Sequence, residues 1–479
     1  MTTFDPATFA TTLATIGVVI IVAALISGLL ERRAFPPVAV FLLLGLAVGP
    51  KALGLLDVGM TSPSLAIIAT LSLTLVLFTD ALTIDAIGIR QNLRLSLLVL
   101  GPGTLLTTIL VGGAAWWLLD LSPPLAAILG AALASTDPVM MRGLLRRPGV
   151  PKTARVALGV ESGLNDVVVL PVVLVAIATL GPTPPTPRTF ALVGLNVFLL
   201  GPAVGALIGF LAVRLLEFVR ARAGMRRDYE SLYVLGVAFA AFAAAEAMHA
   251  SGFMAAFAAG LAIVALDVEL CDCFHDYGEA TSEMFLLFAF VALGTSLIWT
   301  GFDAVTGPAL AFAAIALFAR SAVLWVALRG RVDPESRPYV IWFGPRALSS
   351  LLLVLLPTFA GIGDAARLFP IAALVVLLSV VIHGAMVMKW SDRLGVAPPA
   401  AAGEDRSMVG SGELITFDEY RALVQLRQPI HLVDVRSVAS YRGADLQAAG
   451  AVRLPPDRPE ENAAAFALPK NDWLIAYCA

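Results

Sequence analysis

Apolar runs of about 20 residues recur along this chain from residue 11 to residue 389, each long enough to cross a hydrocarbon layer about 30 Å thick. No other feature restricts the fold as strongly. Backbone in lipid has to satisfy its own polar groups, so segments of this kind are helical. The runs fall at 11–30, 36–55, 62–81, 94–118, 122–142, 154–179, 190–217, 229–247, 250–267, 281–299, 305–328, 338–360 and 367–389. They predict an all-α polytopic membrane protein with thirteen transmembrane helices. Composition agrees: 59% hydrophobic and 14% charged residues, with mean hydropathy +0.87, against about 45–50% and about 25% in soluble domains. The leading MTTFDPATFATT has neither a positive leader nor a small-residue cleavage signal, so the first run is read as a retained helix.

Charge placement orients the spans. Alternate loops carry Arg32 and Arg33, Arg90 and Arg94, Arg142 to Arg155, Arg220 to Arg227, Arg329 and Arg331, and Lys389 and Arg393. The opposite loops carry Asp57, Asp120, Asp303 and Asp364, with Arg188 the main exception. The excess of arginine inside puts the amino terminus outside and the carboxyl terminus in the cytoplasm. An odd span count lets spans 1–6 and 8–13 form an inverted repeat around span 7, the usual design of secondary transporters. Spans five and twelve share a polar, proline-bearing interruption: Ser135-Thr136-Asp137-Pro138 and Phe343-Gly344-Pro345-Arg346. Proline removes a backbone donor, and broken backbone is tolerated in a bilayer only where it lines protein or water. Two broken helices crossing near the midplane are expected, in preference to two kinked ones.

Acidic residues within such runs are expensive and mark ion pathways. Asp137, Glu161 and Asp166 lie in AALASTDPVM and GVESGLNDVVVLP. Positions 161 and 165 share one helix face, and 162 and 166 an adjoining one. One helix can therefore present Asp166 to a cation, set Asn165 against the broken helix and keep Glu161 as a structural charge, with Thr136 and Asp137 facing them. Carboxylates held together at low dielectric keep their charges at a cost, so protons compete there with cations. Binding one species expels the other. Arg320, inside IALFARSAVLWV, needs an acidic partner or a water path, and Glu161 is the partner expected. Arg346 at the second break compensates either carbonyl dipoles or a carboxylate. Asp80, in LVLFTDALTID, either lines an access funnel or is a solvated helix end. His249 and His383 read as structural or interfacial histidines in preference to proton relays.

Beyond Lys389 the character changes. Residues 391–411 form a small, polar, Pro-containing linker, and a soluble α/β segment follows over 412–479. ELITFDEYRALVQ reads as a strand and helix, HLVDVR and DWLIAYCA as strands. Cys271, Cys273 and Cys478 suggest no disulfide framework, and Cys271-Asp272-Cys273 is too small and isolated for a metal site. The basic clusters are short loop charges, so no nucleic-acid partner is expected.

Together these motifs resemble the bacterial sodium/proton antiporters of the NhaP type, within the monovalent cation:proton antiporters. TDP at 136–138 and ESGLND at 161–166 carry most of the likeness. LFTDALTID, HASGFMAAFAAG, GEATSEMFLLFAFVALG, Arg320 and WFGPRALSSLLL extend it over residues 10–390. The resemblance implies a homodimer in the bacterial inner membrane, surrounded by lipid, with elevator-like alternating access. It also implies electroneutral exchange of Na+ or K+ for H+, with no cofactor and no enzymatic activity. Asp166 would bind cation and proton, with Asp137, Thr136 and Ser162 assisting, and Asn165 would mark the electroneutral branch. Glu161 would pair with Arg320. GPRAL departs from the family's frequent glycine after the arginine, at Ala347. The tail resembles a rhodanese domain, with Cys478 where the catalytic cysteine would lie. The loop that would stabilise a persulfide anion does not follow it. The segment then reads as a vestigial domain, a truncated product, or a sensor for a small regulatory ligand or protein. An ion channel, a tail-regulated membrane sensor and a membrane-anchored sulfurtransferase are the competing functions. A channel needs a continuous pore and no proton-competing acidic pair. A sulfurtransferase leaves the acidic residues of the spans without a purpose.

Overall fold

A computed structural model of the chain describes residues 36–84, 93–137, 140, 141, 145, 149–181, 186–223, 227–266, 268–393, 430–436, 447, 448, 450–454 and 473–477, with scattered positions between 17 and 25. It divides into two compact units, residues 1–405 and 406–479.

The first unit is helical. Its elements are α1 (Pro37–Val48), α2 (Pro63–Leu82), α3 (Leu93–Leu118), α4 (Pro123–Ala134), α5 (Lys152–Thr179), α6 (Pro187–Arg220), α7 (Arg227–Ala247), α8 (Gly252–Leu266), α9 (Val268–Thr295), α10 (Gly307–Ala327), α11 (Arg337–Trp342), α12 (Leu348–Phe359) and α13 (Leu368–Arg393). Proline opens several of them, because the first turn has no use for its missing N–H. Thr186 and Thr189 form a reciprocal capping box at the start of α6. Among the described residues six helices are long and apolar enough to cross a membrane, and six more are shorter and apolar. The expected count of thirteen includes the run at 11–30, which lies largely outside the described residues.

Two expected boundaries move. The run at 36–55 ends its helix at Val48, because Pro50 holds Gly49 in extended backbone (φ −77°, ψ 177°). The run at 281–299 belongs to a helix that starts at Val268, since helical bonding continues through the polar stretch that an apolar count omits. Within α3, Pro102 lies in a π-helical segment, Val99–Leu106, which absorbs the lost donor and the bulk of the ring.

Close packing uses residues without side chains. A Cβ on Gly45 would stand 2.3 Å from the Val291 carbonyl oxygen, and one on Gly294 would stand 2.5 Å from that of Leu42. The backbones of α1 and α9 therefore touch, the small-residue solution to helix association where lipid supplies no hydrophobic drive. The main core gathers Leu129, Leu133, Phe290, Phe312, Leu351 and Phe369.

The two interruptions appear as gaps in hydrogen bonding. α4 stops at Ala134, and Ser135 to Asp137 are non-helical. Residues 343–347 separate α11 from α12. The gaps meet: Asp137 N–H donates to the Pro345 carbonyl at 3.0 Å.

The second unit contains a three-stranded parallel sheet, β1 (Ile430–Asp434), β2 (Val452–Arg453) and β3 (Trp473–Tyr477), in the order β2-β1-β3. β1 and β3 match two of the three strands expected, whereas the two-residue β2 is too short to show a period-2 pattern. Asp434, buried at the end of β1, accepts from Arg436 Nε at 2.9 Å and Nη2 at 2.5 Å, and from the Tyr477 hydroxyl at 3.1 Å. The 413–425 stretch and Cys478 lie outside the described residues, as do the side chains of Cys271 and Cys273.

Candidate ion-binding site

The site forms where the first gap faces the middle of α5. A helix that stops inside hydrocarbon leaves polar backbone that needs partners, and α5 supplies them. Asn165 donates through Nδ2 to the Thr136 carbonyl at 3.1 Å and to its hydroxyl at 2.7 Å. Ser135 donates its hydroxyl to Asp166 Oδ1. Asp166 is 2% exposed and has no ion-pair partner among the described residues. The Ser349 hydroxyl, from the first turn of α12, lies beside the same carboxylate.

Asp137 turns the other way. Its Oδ2 accepts the Leu348 N–H at 2.9 Å. α12 has no side-chain cap of its own, since Ala347 occupies the capping position. A carboxylate from the other interrupted helix thus stands at its amino-terminal end, where the helix dipole favours negative charge.

Glu161 and Arg320 form a two-pronged ion pair, Nε to Oε1 and Nη2 to Oε2, with each side chain 3% exposed. Arg320 also donates to the carbonyls of Val340 at 3.0 Å and Ile341 at 3.2 Å, the last turn of α11. The guanidinium therefore serves both a carboxylate and the carboxyl-terminal end of a half-helix. Gly344 makes room for it: a Cβ there would stand 2.7 Å from Arg320 Nη1.

The other expected residues lie around this centre. Ser162 donates to the Gly159 carbonyl of its own helix at 3.3 Å. Asp80 lies in the last turn of α2, with its carbonyl 4.0 Å from where a Cβ on Gly163 would stand, which places it beside α5. Arg346 is fully buried, donates through Nη1 to the Gly344 carbonyl at 3.0 Å, and has no partner for Nε or Nη2 among the described residues. His249 is exposed at a turn with φ 57°, whereas His383 is buried and contacts Ser379 at 3.0 Å. Ser135 stands out in the sequence only as part of the first interruption, and Ser349 and Ser379 not at all. Serine is common in membrane helices, and only the tertiary arrangement marks these three.

A bundle of apolar helices, two of them interrupted and meeting at buried carboxylates, has the build of a secondary transporter. The chain belongs to the sodium/hydrogen exchanger family, matching its transmembrane region over residues 17–390. That family consists of transporters and not enzymes, and the ions are their substrates. The chain is 25% identical over 413 residues to the K(+)/H(+) antiporter NhaP of Alkalimonas amylolytica, covering 84% of this chain and 71% of that protein. It is 27% identical over 374 residues to the K(+)/H(+) antiporter NhaP2 of Shewanella baltica, covering 76% and 63%. The fold resembles that of the sodium proton antiporter MjNhaP1 from Methanocaldococcus jannaschii, with TM-score 0.64 and 19% identity, over 81% of this chain and 98% of that one.

Proposed function

We propose that this chain exchanges a monovalent cation, Na+ or K+, for a proton by alternating access, with both ions competing for Asp166. One observation carries the reading: Asp166 is buried with a neutral hydroxyl as its partner, while the buried guanidinium of Arg320 is committed to Glu161. A buried carboxylate without a fixed counter-charge is costly, so the site favours occupation by a proton or a cation. Ser135 can donate to the empty carboxylate and, rotated, offer its oxygen to a cation. Asn165 Oδ1 is buried without a partner among the described residues and adds a neutral oxygen. Oxygen donors of this kind suit a hard cation that sheds its water. Thr136, Ser162 and Asp137 support the centre, and Asp80 lines the approach. Arg346 compensates the second break.

The two interrupted helices are read as members of an inverted repeat of thirteen spans, assembled as a homodimer in the bacterial inner membrane. The amino terminus is outside and the carboxyl terminus cytoplasmic. Residues 1–390 are the transport domain and 391–411 the linker. Residues 412–479 are a rhodanese-like segment, supported by its parallel sheet, with a regulatory ligand or protein as its partner. Exchange is electroneutral.

The test is proton movement in proteoliposomes given Na+, K+ or Li+ separately, with D166N beside the wild type. Cation-driven proton flux in the wild type that disappears in D166N supports the reading. Flux surviving in D166N removes Asp166 from the mechanism, and a steady voltage-driven current makes the protein a channel.

A further inference from the structure

We infer that Ser379 and His383 are positioning residues for exchange: a hydroxyl–imidazole clamp that fixes the gap between α11 and α12 against α13. The inference rests on the exchange reading above and extends it to a helix that reading leaves unused.

The argument starts from the backbone of the gap. Residues 343–347 are outside regular helix, so each buried N–H needs a partner. Pro345 has none to offer. Leu348 N–H is taken by Asp137, and the Pro345 carbonyl by Asp137 N–H. Arg346 N–H, between them, donates to Ser379 Oγ at 2.7 Å. The gap is therefore held from one side by the first interrupted helix and from the other by α13.

Ser379 departs from the habit of its type. A serine or threonine within a helix usually donates back to a carbonyl one turn earlier, as Thr74, Thr107 and Thr108 do here. Among the described residues Ser379 makes no such bond. Its hydroxyl lies 3.0 Å from Nδ1 of His383, one turn further along α13. Oγ accepts from Arg346 and, among the described residues, has no carbonyl to donate to, so its own proton goes to the imidazole. Nδ1 is then the acceptor, and the ring carries its proton on Nε2. Arg346 and Ser379 are fully buried and His383 is 3% exposed. Burying a hydroxyl and an imidazole is costly unless each is bonded, and an apolar pair would fill the same space without that cost. The clamp acts on the segment that touches Asp137, two residues along the chain from Ser135 and its bond to Asp166.

The experiment measures exchange in proteoliposomes for S379A, H383L, H383N and H383Q. Asparagine places an amide oxygen where Nδ1 stands, while glutamine places its amide where Nε2 stands. S379A and H383L are expected to raise the cation KM about tenfold with Vmax lowered less than about threefold, and H383N to stay within about twofold of wild type. In 15N-histidine spectra of the wild type, the signal lost in H383N should be that of an Nε2–H tautomer. Equal KM values in H383L and H383N overturn the clamp, as does an Nδ1–H tautomer. Should S379A and H383L fail to fold, H383Q decides against H383N: a raised KM in H383Q alone supports the clamp, and equal values overturn it. D166N separates the two failures. Exchange surviving in D166N removes the competition at Asp166 on which the exchange reading rests. Exchange lost in D166N, with KM unmoved in S379A and H383L, removes the clamp alone.

Discussion

Asp137 accepts the Leu348 N–H at 2.9 Å, so the carboxylate of one interrupted helix neutralises the amino-terminal end of the other. The same residue's N–H donates to the Pro345 carbonyl, and the two gaps are joined by both of its polar ends. Glu161 and Arg320 do the complementary work at the carboxyl-terminal end of α11. Half-helix ends of opposite polarity thus meet charges of opposite sign, and Asp166 lies among them with a serine as its partner.

Asp137→Ala should lower stability by about 1–3 kcal/mol, since it leaves a buried N–H without an acceptor. Asp137→Asn keeps an acceptor and loses the charge, so it should cost less. Thermal unfolding in detergent orders the three proteins, and an alanine variant as stable as wild type would remove the capping role.

Glu161→Ala or Arg320→Ala alone should destabilise by about 3–5 kcal/mol, because each leaves a buried charge without its partner. The double variant E161L/R320M should recover part of that loss. Recovery should stay incomplete, because the carbonyls of Val340 and Ile341 lose their donor as well. A double-mutant cycle of melting temperatures checks this, and strict additivity would deny the pairing.

Gly344→Ala should reduce transport and lower stability by about 1–3 kcal/mol, an overpacking cost. The new Cβ would stand 2.7 Å from Arg320 Nη1 and 2.8 Å from its Nε. In an R320A background the same substitution should cost less, because the Cδ, Nε and Nη1 atoms it meets are gone. Exchange assays on G344A and melting temperatures of the three variants decide.

In the carboxyl-terminal unit, hydrogen bonds from Arg436 hold Asp434 down to about 2. Its folded pKa lies below the unfolded value of about 3.9. The stabilisation is therefore full above about pH 4 and lost as pH falls through about 2. Pulse-labelling hydrogen exchange of Ile430–Asp434 in the full chain should show protection constant from pH 7 to about 5 and lost towards about 2. Arg436→Ala should move that loss to higher pH. An unchanged acid profile in that variant would place the shift elsewhere.

Asp333, in the loop before α11, is held below the usual carboxylate range by hydrogen bonding from Ser336. Its Oδ2 accepts the Ser336 N–H at 2.7 Å. That contact, with Ser336 buried, has no sequence signal, because an Asp three residues before a Ser is an ordinary loop pattern.

Much of the framework was legible in residues 11–389, because the cost of exposing polar backbone to lipid depends on local composition. The acidic residues inside apolar runs stood out for the same reason, as did Pro138 and Pro345 at the two interruptions. Proline and charge act where they sit, so a sequence displays their consequences directly. Helix ends at Val48 and Val268 were less legible, since an apolar count measures hydrocarbon and not hydrogen bonding.

Sequence alone therefore determined the helical membrane class, the two weak points in its helices and the residues whose burial demanded partners. Tertiary structure decided which partners they found. Asp166 meets Ser135 across 31 positions, Arg346 meets Ser379 across 33, and Leu348 meets Asp137 across 211. Hydrogen bonds act over about 3 Å and require direction. Only the packed arrangement of α4, α5, α12 and α13 brings those groups into range, so the division of labour between Asp137 and Asp166 emerges in the fold.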